Sequence, residues 1–232
     1  MTRFFDVLCS GVAIVLLLPF MLPIMIGLKL TGEHDVFYKQ TRIGRGGMKF
    51  GVWKFATMLR NSPNMSGGLI TQKKDPRILP MGNFLRATKI NELPQLMNVF
   101  GGTMSLVGPR PFVVDHFDLY PKEAQEAIKQ MRPGVTGIGS IIFRNEEDIL
   151  GVVGEEAGGG DIGRAAANVF HDKVITPYKG KLEAWYLQHQ GIWLYFKLIV
   201  LTARSVVCPK YKAYYSFKDL PRVPDDLKRF LI

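Results

Sequence analysis

Cysteine is scarce in this chain, which has two cysteines, Cys9 and Cys208, among its 232 residues. They match no redox or metal-binding spacing, and Cys9 lies inside a long apolar run, so we expect no structural disulfide and a reducing, cytoplasmic setting. The four histidines are scattered without metal-ligand spacing, so we interpret them as structural or exposed. No internal repeat is present, which excludes solenoids and propellers.

Acidic side chains are also few: the chain has 20 Asp and Glu and 30 Lys and Arg, which gives a net charge of +10. This balance suits an anionic partner: nucleic acid, an anionic membrane surface or a phosphate-bearing substrate. No recognisable nucleic-acid motif accompanies the charge, so nucleic acid is not the expected partner. Residues 151–164 are rich in glycine and predict a flexible loop, but no Lys-Ser/Thr pair follows, which excludes a P-loop.

The N-terminus has no charged residue from Val7 to Leu28. At about 1.5 Å per residue this run could cross a bilayer core. It is long for a signal peptide, and no cleavage-type small-x-small pattern follows it. Pro19 and Pro23 obstruct a straight helix, and Arg3 and Lys29 favour a cytoplasmic position for both ends. Two geometries stay open: a proline-broken re-entrant helix, and a kinked helix that spans the bilayer.

Two alternating runs, 36–41 and 49–54, flank a glycine-rich turn and predict a β-hairpin. Its basic side chains could hold anionic headgroups or substrate phosphates, the alternative being an ordinary solvated strand face. Residues 121–131 predict an amphipathic helix. Residues 192–207 predict an apolar helix, either a core helix or one that lies at the membrane interface.

Residues 84–111 allow two interpretations. In the first, they form a helix ended by Gly101-Gly102, with Glu92 as a solvated charge and an apolar stripe of Leu93, Leu96, Met97 and Phe100. In the second, they form a phosphoryl-transfer site. Glu92 is then the candidate Mg²⁺ ligand, since Mg²⁺ is usually held by one or two carboxylates plus phosphate and water. Arg110, on a rigid turn between two prolines, carries a forked guanidinium that suits a diphosphate.

An ordered set of short strings favours the second interpretation. They are RFFD (3–6), Pro19, KFATM (54–58), DPR (75–77), NELPQL (91–96), MSLVGPRP (104–111) and RPGVTG (132–137). The set resembles the bacterial sugar transferase family, the monotopic phosphoglycosyl transferases, over nearly the whole chain and most specifically over 91–111. The resemblance implies transfer of a sugar-1-phosphate from a UDP-sugar to a polyprenyl (undecaprenyl) phosphate with release of UMP, as the first step of exopolysaccharide, O-antigen or glycan assembly.

The chain departs from the family pattern at the catalytic pair. The family has Asp-Glu, in which the Asp attacks the sugar-linked phosphate, whereas this chain has Asn91 followed by Glu92. Since an amide is a poor nucleophile, three hypotheses remain. The chain uses another carboxylate, transfers directly without a covalent step, or is a catalytically disabled subunit that binds nucleotide sugar or partners a glycosyltransferase. Leu18 also replaces the Ser before Pro19, and Ile138-Gly139-Ser140 replaces Trp-Ala-Gln.

The resemblance also supplies candidate substrate-binding residues. Besides the catalytic candidates Asn91 and Glu92, they are Lys54, Arg110, Pro111, Arg132, Arg144, Glu146, Glu147 and Glu183. Glu146 or Glu147 could stand in for the missing Asp, with Arg144 on phosphate, although a charged helix N-terminus explains the same residues.

We therefore predict a mainly helical α+β protein with a re-entrant N-terminal membrane helix, a small basic β-hairpin and interfacial amphipathic helices. Residues 1–30 are the expected membrane helix, and 31–232 the expected catalytic domain on the cytoplasmic side of the inner membrane. The expected cofactor is Mg²⁺. The expected partners are a UDP-sugar, polyprenyl phosphate and membrane lipids, with homo-oligomerisation left open.

Overall fold

The computed structural model describes residues 2–65, 75–112, 117–118, 120–208 and 211–232. Helices make up most of these residues and two small sheets the rest of the regular structure, so the mainly helical α+β class is confirmed. The chain divides into two compact units. The N-terminal unit comprises Arg3–Thr41 and Phe50–Met104, and the C-terminal unit chiefly Arg42–Lys49 and Ser105–Ile232. The predicted boundary at residue 30 concerns the bilayer and stays a prediction.

Helix α1 runs from Thr2 to Leu30 as one continuous helix that contains both Pro19 and Pro23. Within the described ranges it is the helix long and apolar enough to cross a membrane, and 11% of its most apolar stretch is buried. Each proline removes one backbone donor from the helix. The long apolar N-terminal helix is confirmed, whereas its re-entrant geometry stays a prediction.

One side of α1 packs within the N-terminal unit at both ends of the helix. Near its end, Leu28 joins a core with Phe55 and Leu85. Near its start, the Arg3 guanidinium donates hydrogen bonds to two carbonyls at the end of helix α3 (Gln95–Gly101). The opposite side leaves large apolar side chains exposed along the helix, among them Phe4, Val15, Leu16, Phe20 and Ile26.

The predicted hairpin is present as β1 (Phe37–Ile43) and β2 (Lys49–Phe55), joined by a 3-10 turn at Arg45–Gly47. Gly46 and Gly47 have φ of 70° and 74°. Only glycine adopts this left-handed conformation without strain, which explains the turn's composition.

The short helical segments of the N-terminal unit include a 3-10 turn (Ser62–Asn64), α2 (Gly82–Ala87), a second 3-10 turn (Ile90–Glu92) and α3. Helix α3 ends at Gly102 with φ of 90°, as its glycine pair predicted. The predicted apolar stripe is wrong in part, because Leu96 and Val99 are buried whereas Met97 and Phe100 are exposed. The polar Asn98 turns inward and makes hydrogen bonds with β2, which sets the buried face of the helix.

In the C-terminal unit, the short strands β3 (Ser105–Val107) and β4 (Gly134–Thr136) pair in parallel. The amphipathic helix predicted for 121–131 is present as α4 (Lys122–Gln130), and α5 (Ile138–Ile142) follows β4. The core of this unit centres on buried apolar side chains, including Ile138, Ile175, Tyr178, Leu182, Leu198 and Leu227.

The flexible loop predicted for 151–164 is wrong. Most of this segment belongs to α6 (Glu146–Glu156) and α7 (Gly160–Phe170). Two of its glycines serve packing, since a Cβ on Gly154 would lie 3.1 Å from the carbonyl oxygen of Gly163. The absence of side chains at these two positions lets the helices approach closely.

A π-helical turn (His171–Ile175) leads from α7 directly into α8 (Thr176–His189), and α10 (Asp225–Leu231) lies near the end of the chain. Helix α9 spans Ile192–Val207, the bounds predicted from sequence. Tyr195, Leu198 and Leu201 are buried in the unit, as a core helix requires. Its other side exposes apolar groups, with Trp193 87% exposed, and its placement at a membrane interface stays a prediction.

Candidate active site

The predicted catalytic pair sits on a short turn in the N-terminal unit. Asn91 and Glu92 belong to the 3-10 turn Ile90–Glu92, which begins after Lys89 in the left-handed conformation with φ of 59°. The Glu92 carboxylate lies 3.8 Å from the Nζ atom of Lys54 on β2, and their side chains are 19% and 18% exposed. Glu92 is therefore a largely enclosed carboxylate beside a cation, and not the solvated charge of the first interpretation.

Asn91, which directly precedes Glu92 in the sequence, is buried. Its Oδ1 atom has no hydrogen-bond partner among the described residues. Buried polar atoms nearly always have a partner in the protein, in ordered water or in a bound ion. This oxygen is therefore available to accept a hydrogen bond from a ligand or water, or to coordinate a cation.

The strand that carries Lys54 is clamped to α3 by a single side chain. Asn98 Oδ1 accepts the N–H of Trp53 at 2.9 Å, and its Nδ2 donates to the carbonyl of Gly51 at 2.8 Å. Thr103, at a position where the family has Asp, accepts a further hydrogen bond from the same Nδ2 at 3.1 Å. Because Lys54 directly follows Trp53, this clamp fixes the backbone from which Lys54 projects.

The Asp75-Pro76-Arg77 string forms a buried ion pair in the N-terminal unit. The Arg77 Nε and Nη2 atoms donate to the two carboxylate oxygens of Asp75 at 2.8 and 2.6 Å. Their side chains are 2% and 4% exposed, and the guanidinium also bonds the Ser62 carbonyl at 2.9 Å. The ion pair thus holds the backbone of this segment in place, and neither of its charges is exposed to a substrate.

In the C-terminal unit, the strings 104–111 and 132–137 meet as the β3–β4 pair. The N–H of Gly108 donates to the Thr136 carbonyl at 2.9 Å, and the N–H of Gly134 donates to the Pro109 carbonyl at 2.8 Å. A Cβ on Gly108, Gly134 or Gly137 would overlap backbone atoms of the other string. These glycines are required by the close approach of the two backbones.

Three arginines predicted to bind phosphate lie on segments that adjoin this strand pair. Arg110 is exposed between the buried Pro109 and Pro111, Arg132 is half-buried ahead of β4, and Arg144 is half-buried between α5 and α6. Proline on both sides restricts the backbone at Arg110. Their contact with substrate stays a prediction.

Glu146, the first residue of α6, is held by two basic side chains. Lys179 Nζ donates to both of its carboxylate oxygens at 2.7 and 2.6 Å, and His171 Nε2 lies 3.3 Å away. Burial alone would raise the pKa of Glu146, but hydrogen bonds and charges from His171 and Lys179 outweigh it and lower that pKa to about 2. The neighbouring Glu147 is exposed on the same helix. Glu146 is thus an ionised, paired carboxylate.

His171 faces a carboxylate with each ring nitrogen. Its Nδ1 atom is 2.8 Å from Asp172, and its Nε2 atom faces Glu146. Burial opposes the charged form, yet hydrogen bonds with these carboxylates outweigh it and raise the pKa of His171. Only the imidazolium offers two N–H donors, so the geometry favours the protonated ring.

Glu183 on α8 is a carboxylic acid in the interior of the C-terminal unit. It is 3% exposed, and its Oε2 atom has no hydrogen-bond partner among the described residues. Burial raises its pKa to about 7, against a hydrogen bond from the Gly139 backbone and the charge of Lys179. A group this enclosed contacts protein, and a substrate could not reach it without displacing its neighbours.

Tyr120 lies within the electrostatic reach of the same groups. Burial raises the pKa of its phenol, the carboxylates of Glu146 and Glu183 raise it further, and the guanidinium groups of Arg110 and Arg42 oppose them. The C-terminal unit therefore brings the predicted residues Arg110, Glu146 and Glu183 into one charged neighbourhood.

Three members of this neighbourhood were not predicted as site residues: Tyr120, His171 and Lys179. Lys179 precedes Glu183 by four residues, a spacing that places both on one face of α8. The sequence offered no such signal for His171 or Tyr120, which come into place only through the fold.

Comparison with known proteins agrees with the resemblance noted from the short strings. The model of the family described as bacterial sugar transferase matches residues 1–209. This match covers most of the chain, so the chain belongs to the bacterial sugar transferase family.

Several curated relatives are similar in sequence. A UDP-glucose:undecaprenyl-phosphate glucose-1-phosphate transferase of Xanthomonas campestris pv. campestris is 31% identical over 208 residues, covering 88% of this chain and 38% of that protein. The exopolysaccharide production protein ExoY of Rhizobium meliloti (strain 1021) is 39% identical, covering 62% of this chain and 70% of that protein. An undecaprenyl-phosphate galactose phosphotransferase of Salmonella typhimurium (strain LT2) is 35% identical, covering 63% of this chain and 33% of that protein. The chain therefore spans about a third of the length of two of these relatives, 38% and 33%.

Proposed function

We propose that this protein is a phosphoglycosyl transferase that moves a sugar-1-phosphate from a UDP-sugar to undecaprenyl phosphate. An oxygen of the acceptor phosphate forms a bond to the β-phosphorus, the bond from that phosphorus to the bridging oxygen breaks, and UMP leaves with the bridging oxygen. The relatives named above act on undecaprenyl phosphate or in exopolysaccharide production. We accordingly propose that the reaction begins assembly of an exopolysaccharide, an O-antigen or another glycan. Relatives named for glucose and for galactose leave the sugar open.

The observation that carries the proposal is the Lys54–Glu92 pair together with the preceding residue Asn91, whose buried Oδ1 atom has no hydrogen-bond partner among the described residues. An enclosed ion pair next to an unsatisfied buried oxygen costs stability, and such costs are typical of sites that bind or react. In this proposal Lys54 donates to a phosphate oxygen, and Glu92 is the reactive or ligand carboxylate. The forked guanidinium of Arg110 binds diphosphate oxygens.

Mg²⁺ is part of the proposal, and the donor atoms fit it. Among the described residues no group of three His, Cys, Asp or Glu side chains could hold a metal ion. Mg²⁺ in such enzymes needs few protein ligands, because substrate phosphates and water complete its octahedron. The Glu92 carboxylate and the Asn91 Oδ1 atom would hold it, and when bound it would neutralise charge on the phosphate oxygens.

Asn91 leaves two routes for an active enzyme, and one experiment separates them. A covalent route through the Glu92 carboxylate would form an acyl phosphate and release UMP before the acceptor binds. Labelled UMP would then exchange into UDP-sugar without undecaprenyl phosphate. A direct transfer needs both substrates together and shows no exchange until the acceptor is added.

Membrane placement follows from α1 in this proposal. Both ends of the helix contact the N-terminal unit, through Arg3 at one end and Leu28 at the other. A helix that spanned the bilayer would carry one end away from a cytoplasmic body, whereas a re-entrant or interfacial helix keeps both near it. We propose the second arrangement, on the cytoplasmic face of the inner membrane, with α9 at the lipid interface.

The catalytically disabled binding subunit is the second candidate function. The observation that favours it is Asn91 itself, because the carboxamide cannot act as the nucleophile that the family's Asp provides. A protein of this kind would still bind nucleotide sugar through its basic side chains. It would release no UMP.

The test is UMP release by the purified protein with undecaprenyl phosphate, Mg²⁺ and a panel of UDP-sugars. Glu92→Gln and Asn91→Asp run beside it, with the exposed Glu155→Gln as the matched control. We expect release by the unmodified protein, loss in Glu92→Gln and no change in Glu155→Gln. Activity confined to Asn91→Asp would refute the transferase and establish the disabled form. Accessibility of a cysteine at position 2 from the periplasm alone would refute the membrane placement.

A further inference from the structure

Glu183 links helix α8 to the start of helix α5 in the C-terminal unit. Its carboxylate accepts the N–H of Gly139, in the first turn of α5. A Cβ on Gly139 would lie 2.7 Å from Glu183 Oε1, closer than real Cβ contacts allow, with Lys179 the next neighbour. The carboxylate therefore occupies the space that any larger residue at position 139 would need.

The residues just before α5 contact the segment that leads to Arg110. A Cβ on Gly137, just before α5, would overlap the carbonyl oxygen of Gly108, so the two backbones are in contact there. The hydrogen bond from Gly108 to Thr136 ties the same segments together. Gly108 is followed by Pro109 and then by Arg110, leaving little backbone freedom between the contact and the Cα atom of Arg110.

From these contacts we infer that Glu183 is a positioning residue that holds the α5 start against Gly108 and so fixes the backbone from which Arg110 reaches the substrate's diphosphate. The inference rests on the proposed function for the role of Arg110. It replaces the expectation that Glu183 binds substrate, since the side chain is buried against protein. It also pairs two positions: glycine at 139 is required because glutamate stands at 183.

The paired positions make the inference testable by rescue. Gly139→Ala should push the carboxylate and the α5 start apart, and Glu183→Asp alone should draw the carboxylate away from the Gly139 N–H. Each single variant should raise the KM for UDP-sugar about tenfold, since misplacing a positioning group by about 1 Å has large effects. The double variant should recover most of that loss, because the shorter side chain makes room for the new methyl group. Gly151→Ala is the control, since nothing lies near that glycine.

A second cycle separates positioning from loss of folding. Glu183→Met removes the acceptor and should weaken UDP binding in the unmodified background. It should add nothing in an Arg110→Ala background, because the group that it positions is already absent. Equal losses in both backgrounds, or singles and double that are simply additive, would overturn the inference.

A substrate-free readout keeps this inference apart from the proposed function. Modification of arginines by phenylglyoxal, followed by peptide mass spectrometry, compares Arg110 with the exposed Arg45. The Arg110/Arg45 ratio should change in Gly139→Ala and in Glu183→Asp and return towards the original value in the double variant. If the unmodified protein binds no UDP-sugar while this pattern holds, only the proposed function fails. An unchanged ratio in both single variants refutes the positioning.

Discussion

Replacing Glu183 by Gln should stabilise this protein, and the gain should depend on pH. Burial raises the pKa of Glu183 from 4.5 to about 7, so the folded state holds this proton more tightly than the unfolded chain does. Stability from this group is complete below pH 4.5 and is lost as pH rises through about 7. At 1.36 kcal/mol for each pKa unit, the loss above pH 7 is about 3 kcal/mol. Gln has nearly the same shape and cannot ionise, so Glu183→Gln avoids that loss.

The assay is thermal unfolding of both proteins in detergent from pH 5 to pH 8. A gain of about 3 kcal/mol corresponds to a rise in Tm of roughly 6–12 °C for a chain of this size at pH 8. The difference should shrink towards zero at pH 5, where Glu183 is mostly protonated in the folded state. Glu155→Gln, the same chemical change at an exposed site, should show no such trend. A Tm difference that is absent at pH 8, or equal at both pH values, would refute the reasoning.

Three further predictions concern packing and charge. Gly108→Ala should abolish activity, because the new methyl group would overlap the backbone just before and within β4. The control Gly101→Ala should keep activity, because nothing lies within contact distance of that glycine. Equal activities of the two variants would contradict this prediction. Asp75→Ala should lower the free energy of unfolding by about 3–5 kcal/mol, since it leaves the buried Arg77 unpaired, and a change below about 1 kcal/mol in denaturant titration would be evidence against it. His171→Gln should lower Tm most below pH 6.5, and the loss should become smaller as pH rises through the raised pKa of His171. A Tm difference between variant and unmodified protein that does not vary with pH would speak against a charged histidine.

The parts of the fold that sequence predicted well are those set by local chemistry. The hairpin turn needs residues at positive φ and has Gly46 and Gly47 there. The apolar run 192–207 gave the bounds of α9, because Gly191 precedes it and Pro209 follows it closely, and both residue types disfavour a helix interior. These signals are carried by neighbouring residues, so they can be read without knowledge of the fold.

The errors arose where distant residues decide the structure. Gly154 and Gly163 look like loop residues in isolation, but they are the contact between two helices. Lys179 and Glu146 are 33 residues apart, and no local pattern shows that they pair. Met97 and Phe100 fit an apolar stripe, yet the hydrogen bonds of Asn98 decide which side of α3 faces inward.

The intact family strings do not by themselves decide whether the protein is active. The glycines of the β3–β4 pair and the Asp75–Arg77 ion pair are needed for folding, so a disabled protein would retain them equally. The Asn91 carboxamide differs, because its Oδ1 atom is buried and accepts no hydrogen bond from the described residues. A buried, unsatisfied amide oxygen costs about 1–3 kcal/mol, and an apolar residue at that position would avoid this cost. In the transferase that we propose, a ligand that uses this oxygen offsets the cost, whereas decay of a catalytic Asp leaves the cost without an explanation.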